Sequence, residues 1–403
     1  MDFIQALSLI VSLVVIVVAV EKRVNYGLAL LIGAVTLAIF SGLPPQRFLG
    51  VFSKTLTDIV TYELALVISL IPILAHCMKE TKMIDELIDG IKRAFSGRAL
   101  LMILPALMGA LPMPGGALLS APLIDNEASR LKLTGEEKSF INVWFRHWNF
   151  FIYPLSTPLI LLASLTGVSL YSIILTQVPL AFLYLFLGYF VSIRRIEHNK
   201  PERVRHRNAE IFPTILVNVS PILLVVLLNI LGVDMAIALM VGIAFVLLLK
   251  KVKPIKGASL LRGGFYWRLP FAIFGVMCFR YMVESSGVVL ALLPYMEATG
   301  LPKIVLLIAV SWAVGLTTAM PQAGVAIVIP VAMMVYGNLT SLLASVLYVT
   351  MVFAYIISPM HLCFILTIEY YKTRLAPVYR KLIPVAAAIY LIFLVAALWS
   401  FRL

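Results

Sequence analysis

Residues 109–122, Gly-Ala-Leu-Pro-Met-Pro-Gly-Gly-Ala-Leu-Leu-Ser-Ala-Pro, constrain this chain more than any other stretch. They are apolar enough to sit in lipid, yet they cannot form one regular helix. Pro112 and Pro114 each remove a backbone donor and clash with the preceding turn, while Gly115 and Gly116 permit a sharp reversal. The apolar flanks, 99–111 and 117–124, are each shorter than the roughly 20 residues that a crossing requires. The spacing predicts a re-entrant hairpin over 99–125, two half-helices that enter and leave by the same membrane face. Broken backbone at that depth survives only where it is buried in protein or lines a cavity.

A second copy lies at 315–333, within an apolar stretch 303–335. Met113-Pro114-Gly115-Gly116 aligns with Met320-Pro321-Gln322-Ala323, and Gly324 supplies the glycine one place later; Pro122 and Pro330 close the two segments. Each copy is followed by an apolar stretch broken by proline: Tyr153-Pro154-Leu155-Ser156-Thr157-Pro158 in the first half, Tyr355-Ile356-Ile357-Ser358-Pro359-Met360-His361 in the second. Two hairpins and two broken helices in the same order are the sequence signature of a secondary transporter with its site near the bilayer midplane.

The rest of the chain fits that frame. It is 62% hydrophobic and 13% charged, with apolar runs of spanning length throughout, against roughly 45–50% apolar usage in soluble domains. These features predict an all-α polytopic membrane protein. Ten spans are expected: 3–20, 25–43, 55–77, 140–166 (broken) and 168–193, then 212–232, 235–249, 268–286, 341–368 (broken) and 382–400. An amphipathic stretch, 79–98, is expected at the interface, with a short apolar counterpart at 287–295. Each half, 1–193 and 212–403, then holds five spans and one hairpin, joined by a basic linker over 194–211. Because five is odd, the second half enters the bilayer from the opposite side, giving an inverted repeat.

Charge gives an independent partition. With the N-terminus outside, the inside segments hold 26 of the 32 Lys and Arg residues and the outside segments hold 4, Arg146 and Arg280 lying within spans. This is the positive-inside pattern, so the formal net charge of +13 marks orientation rather than nucleic-acid binding. Met1-Asp2 lacks a basic n-region, so the first apolar run is expected to be a mature span. The three cysteines, Cys77, Cys278 and Cys363, have no paired spacing and read as packing residues.

Small polar side chains beside the breaks are the natural ligands. One solute site is expected, lined by Gly115, Gly116, Ser156, Thr157, Gln322, Gly324, Ser358 and His361, with Asn149 close by and Arg146 and His147 as charge partners. Half-helix N-termini offer partial positive charge and unpaired N–H groups there. No carboxylate falls at the breaks, which favours an anion. No metal or other cofactor is expected, and His361-Leu362-Cys363 is too small a cluster for a metal site. HExxH, GxSxG and paired intramembrane aspartates are absent, which argues against a membrane-embedded enzyme.

The paired hairpins and broken spans resemble the ion transporter superfamily, which includes citrate and dicarboxylate carriers, gluconate permeases, the large membrane subunit of TRAP transporters and the arsenite permease. Val283-Glu284-Ser285-Ser286-Gly287 looks like a segment of the gluconate branch, and the whole chain looks like a family of that superfamily without an assigned substrate. The Ser-Asn-Thr signature of the sodium–dicarboxylate branch is absent. The resemblance implies an elevator-type carrier in the inner (cytoplasmic) membrane, built as a homodimer. It would move a small anionic, organic acid-like solute coupled to Na⁺ or H⁺. The alternative within the superfamily is a membrane subunit served by a separate solute-binding protein.

Overall fold

The computed structural model describes residues 2–111, 116–196 and 211–400, and every regular element among them is helical. The first half runs α1 (Asp2–Glu21), α2 (Tyr26–Phe40), α3 (Pro45–Thr57), α4 (Ile59–Glu80), α5 (Met83–Ala94), α6 (Gly97–Ala110), α7 (Gly116–Arg130), α8 (Gly135–Arg146), α9 (Asn149–Ile152), α10 (Thr157–Thr166) and α11 (Leu170–Gly188), which continues into a π-helical turn, Tyr189–Ile193. The second runs α12 (Ile211–Ile230), α13 (Met235–Leu249), α14 (Pro254–Gly264), α15 (Arg268–Ser286), α16 (Val288–Ala298), α17 (Lys303–Thr318), α18 (Pro321–Tyr336), α19 (Ser341–Ile357), α20 (Leu362–Tyr370) and α21 (Leu375–Ser400).

Seven helical stretches are long and apolar enough to cross a membrane, eight if the pair α15–α16, bent by 69°, counts as one span. The protein is a polytopic helical membrane protein. The other two expected spans, α2 and α13, have 15 residues each. At 1.5 Å per residue each reaches roughly 22 Å, short of a typical ~30 Å hydrocarbon core.

Two helices carry no apolar run to announce them. One, α3, lies between the second and third expected spans, and the other, α14, in the basic stretch between the seventh and eighth. Both open on a proline, Pro45 and Pro254, whose fixed φ suits the first helical turn and whose missing N–H is no loss there. The third span starts at Ile59 rather than Thr55, because the Asp58 carboxylate accepts from Val60 N and Thr61 N and caps α4. The amphipathic helix forms as α5, with Met83, Ile84, Leu87, Ile88 and Ile91 buried on one face.

The two halves start corresponding helices in corresponding ways. Asn25 caps α2 and Asp234 caps α13; Thr134 caps α8 in a capping box with Glu137, and Thr340 caps α19. Packing follows the same exchange. α2 lies on α15 and α13 on α4; α1 on α16 and α12 on α5; α3 on α15 and α14 on α4. In the hairpin region α6 packs on α7 and α8, α17 on α18 and α19, α7 on α20 and α18 on α10.

Ion pairs tie distant segments at the helix ends. Lys250 meets Glu86 at 2.7 Å, Lys138 meets Asp125 at 2.7 Å and Lys381 meets Glu137 at 3.7 Å, while Arg98 donates to the Ile196 carbonyl. Elsewhere Glu284 accepts from Arg280 at 2.9 Å and faces Lys54 at 3.6 Å, and Gln5 Nε2 donates to the Ser286 carbonyl at 2.7 Å.

Helices α2 and α15 cross backbone to backbone. A Cβ at Gly275 would overlap the Gly27 carbonyl oxygen, and one at Gly27 would fall 2.7 Å from the Phe271 carbonyl oxygen. Gly275→Ala should therefore push these helices apart and cost about 1–3 kcal/mol, the usual overpacking penalty. Gly50→Ala in α3, where an added Cβ meets nothing within 4 Å, should leave stability unchanged or slightly raised. Thermal unfolding of the two purified variants in detergent checks this; equal midpoints would refute the close crossing.

Candidate functional site at the broken helices

Prolines lie at each of the helix breaks. Helix α8 ends at Arg146, the chain makes the single turn α9, and Pro154 and Pro158 delay the restart to Thr157, with Ser156 in the N-cap position. In the second half α19 ends at Ile357, Pro359 interrupts, and α20 restarts at Leu362 behind His361. Hairpin helices α17 and α18 are separated by Ala319, held in the left-handed region at φ 47°, and Met320. The corresponding tip in the first half, Pro112 to Gly115, lies outside the described residues; α7 begins at Gly116.

The last carbonyls of a helix have no partner within it. Here each broken span supplies one. Asn149 Nδ2 donates to the Gly109 carbonyl at 2.6 Å, and Ser358 Oγ donates to the Leu316 carbonyl at 2.6 Å. Gly109 and Leu316 occupy the same place when Met113 is laid over Met320. The helices are close enough for this because glycine lines the seam: a Cβ at Gly109 would overlap the Arg146 carbonyl oxygen, and one at Gly315 would sit 2.9 Å from the Met351 carbonyl oxygen.

A cavity of about 510 Å³ opens where these elements meet. Ala110 and Leu111 at the end of α6 line it, with Asn149, Ser156 and Thr157 of the broken span and Gln322 in the first turn of α18. Pro72 of α4, Tyr266 and Arg268 complete the wall, and Arg268 is its only charged residue among those described. Asn149 Oδ1 is buried without a hydrogen-bond partner. A larger cavity, about 700 Å³, lies by the N-terminal half of α8 between Lys132, Glu137, Arg195 and Lys381. It adjoins no helix break, and the chain leaves its rim at Ile196 for residues outside the described set. The smaller cavity is the candidate site, because orphan helix termini converge on it.

The remaining polar residues form a second, closed group. His147 Nε2 lies 3.2 Å from the Tyr355 hydroxyl, and its Nδ1 faces the Val143 carbonyl at 2.5 Å. The rings of His147 and His361 meet edge to face at 4.7 Å between centroids. His147, His361 and Cys363 each present one possible ligand atom, all within 4.8 Å of one another. Arg146 is buried beside them; its Nη1 reaches Ser120 Oγ at 3.5 Å, and it forms no ion pair with a carboxylate among the described residues.

The single expected constellation is thus two. Asn149, Ser156, Thr157 and Gln322 line the cavity, whereas Ser358, His361, Arg146 and His147 do not. Gly324 faces α19, since a Cβ there would meet Met351 Sδ at 2.9 Å; it serves close packing instead of opening onto the cavity. Gly115 is outside the described residues. Arg268 was read only as an orientation charge. Its position as the first residue of α15, directly after Tyr266-Trp267, is the one signal for it, and it is exposed where it lines the cavity.

A family model described as "Protein of unknown function (DUF401)" matches residues 4–399. The chain belongs to the DUF401 family. No curated protein matches it. In this DUF401 protein the tie between broken span and hairpin is directly testable. Asn149→Ala and Ser358→Ala each leave a carbonyl unpaired and should each lower unfolding free energy by about 1–3 kcal/mol. Chemical denaturation of the two variants measures this; wild-type stability in both would refute the tie.

Proposed function

We propose that this protein is a secondary active transporter for a small anionic, organic acid-like solute across the cytoplasmic membrane, coupled to Na⁺ or H⁺. The observation that carries this reading is the 510 Å³ cavity with Arg268 as its only charged lining residue among those described. Thr157 opens α10 and Gln322 lies in the first turn of α18, so two helix N-termini border the same space. Each contributes about 0.3–2 kcal/mol toward an anion when partly buried. Buried Arg146, without a carboxylate partner among the described residues, adds field of the same sign.

The membrane arrangement that goes with this function is ten spans and two re-entrant hairpins, N-terminus outside, in an inverted repeat. The exchange-related packing supports it: α2 on α15 is matched by α13 on α4, and α1 on α16 by α12 on α5. Among the described residues, every ion pair between distant segments joins parts that the ten-span count puts on one face, Lys250 with Glu86 and Lys381 with Glu137 inside, Lys54 with Glu284 outside. The resemblance to the ion transporter superfamily agrees with a homodimeric carrier of elevator type.

A thermal-shift screen of purified protein against carboxylates, sugar acids and oxyanions, with and without Na⁺, tests the function. A stabilising anion is expected, its affinity falling at least roughly tenfold in Arg268→Gln, since a charge-assisted contact is worth about 1.5–3 kcal/mol. Stabilisation by cationic or neutral solutes alone would overturn the reading. Topology is tested separately by a cysteine at Asn199, which should resist impermeant reagents applied to intact cells; labelling from outside would reverse the orientation.

A further inference from the structure

We infer that His147, His361 and Cys363 form a binding site for a soft monovalent metal cation, Cu⁺, held between the two broken spans. The inference stands apart from the transported solute, since none of the three residues lines the cavity.

The donor geometry is set from both sides of the fold. His147 is the C-cap of α8, His361 the N-cap of α20, and Cys363 lies in the first turn of α20. The Val143 carbonyl can only accept, so His147 Nδ1 carries the proton and Nε2 presents its lone pair toward the cluster. This is the arrangement of a ligating histidine whose second nitrogen is held by a backbone carbonyl. His361 is buried, and neither ring nitrogen has a hydrogen-bond partner; the Ile356 carbonyl lies beside the ring outside hydrogen-bond geometry. A buried imidazole with both nitrogens unpaired costs free energy that a ligand would relieve. The donor atoms, within 4.8 Å of one another, need to close to roughly 3.3–3.8 Å for metal bonds of about 2.0–2.3 Å, a rotamer-scale adjustment. The Tyr355 hydroxyl contacts His147 Nε2 and neighbours the Cys363 sulfur, so a cation entering the cluster displaces it from His147 and leaves it able to donate to the thiolate.

Charge chooses the cation. One thiolate and two neutral imidazoles carry a single negative charge, and Arg146 stands at the rim with no carboxylate paired to it among the described residues. A divalent ion would leave a net positive complex buried beside a guanidinium, a costly arrangement. A monovalent ion leaves a neutral one. Thiolate and imidazole donors suit Cu⁺, whereas hard cations take oxygen. Binding replaces the S–H bond of Cys363 with an S–Cu bond and releases one proton to solvent. Cys363 is the partly exposed member of the trio and marks the way in.

Anaerobic Cu⁺ titration of the full-length protein in detergent, in competition with a chromogenic Cu⁺ chelator, tests the site. One equivalent per chain is expected, with X-ray absorption reporting one sulfur and two nitrogens. Cys77→Ser/Cys278→Ser should keep that equivalent, Cys363→Ser should lose it, and His361→Gln should weaken it roughly a hundredfold or more. Size-exclusion profiles matching wild type establish that the single variants are folded. No saturable copper, a sulfur-only shell, copper retained by Cys363→Ser, or Zn²⁺ bound in preference to Cu⁺ would each overturn the proposal.

Discussion

The structure depends on how a helix that stops inside a membrane satisfies its last carbonyls. In hydrocarbon each unpaired backbone group costs several kcal/mol, and no water is at hand to meet it. The hairpins use the neighbouring broken span: Asn149 answers Gly109, and Ser358 answers Leu316. Helices α6 and α17 are therefore each joined to the broken span of their own half by a side-chain bond and by a glycine seam with no room for a Cβ. The N-terminal ends across these breaks, α10 at Thr157 and α18 at Pro321-Gln322, face other space: Thr157 and Gln322 both line the cavity.

Much of the frame was legible in the sequence because proline and glycine act locally. Pro154 and Pro359 stand in the breaks themselves, Pro158 fits the first turn of α10, and apolar runs longer than a core helix report spans without tertiary information. The matched order was legible too: Gly109 and Leu316, equivalent when Met113 is laid over Met320, each accept from the broken span of their own half. Helices α3 and α14 were not, because their stretches mix charged and apolar residues too evenly for a run; only Pro45 and Pro254 hinted at their starts.

The site was half legible for the same reason. Asn149, Ser156, Thr157 and Gln322 sit beside their own breaks, so sequence position alone puts them near the cavity. His147 and Cys363 belong to different halves, and their meeting depends on α8 packing against α20. No spacing rule reaches across that distance. Arg268 failed differently: its charge was explained by orientation, and one sufficient explanation hid a second. A basic residue at the cytoplasmic lip of a span can set topology during insertion and face a cavity afterwards.

On the transporter reading, the two polar groups answer two electrostatic problems. Bringing a monovalent anion into a cell against an inside-negative potential costs about 2.3 kcal/mol per 100 mV, a cost that one co-transported cation cancels. The cavity wall, with Arg268 and two helix N-termini, suits the anion and repels that cation. The cation must then use donors that face away from the positive groups. The unpaired Asn149 Oδ1 and the terminal carbonyls of α6 are oxygen donors at the cavity edge, of the hard kind that Na⁺ accepts. The His147, His361 and Cys363 group is soft and away from the cavity, which makes it a poor stage for a hard coupling ion such as Na⁺. A tightly held cation there would instead fix α8 to α20, joining the broken span of one half to that of the other.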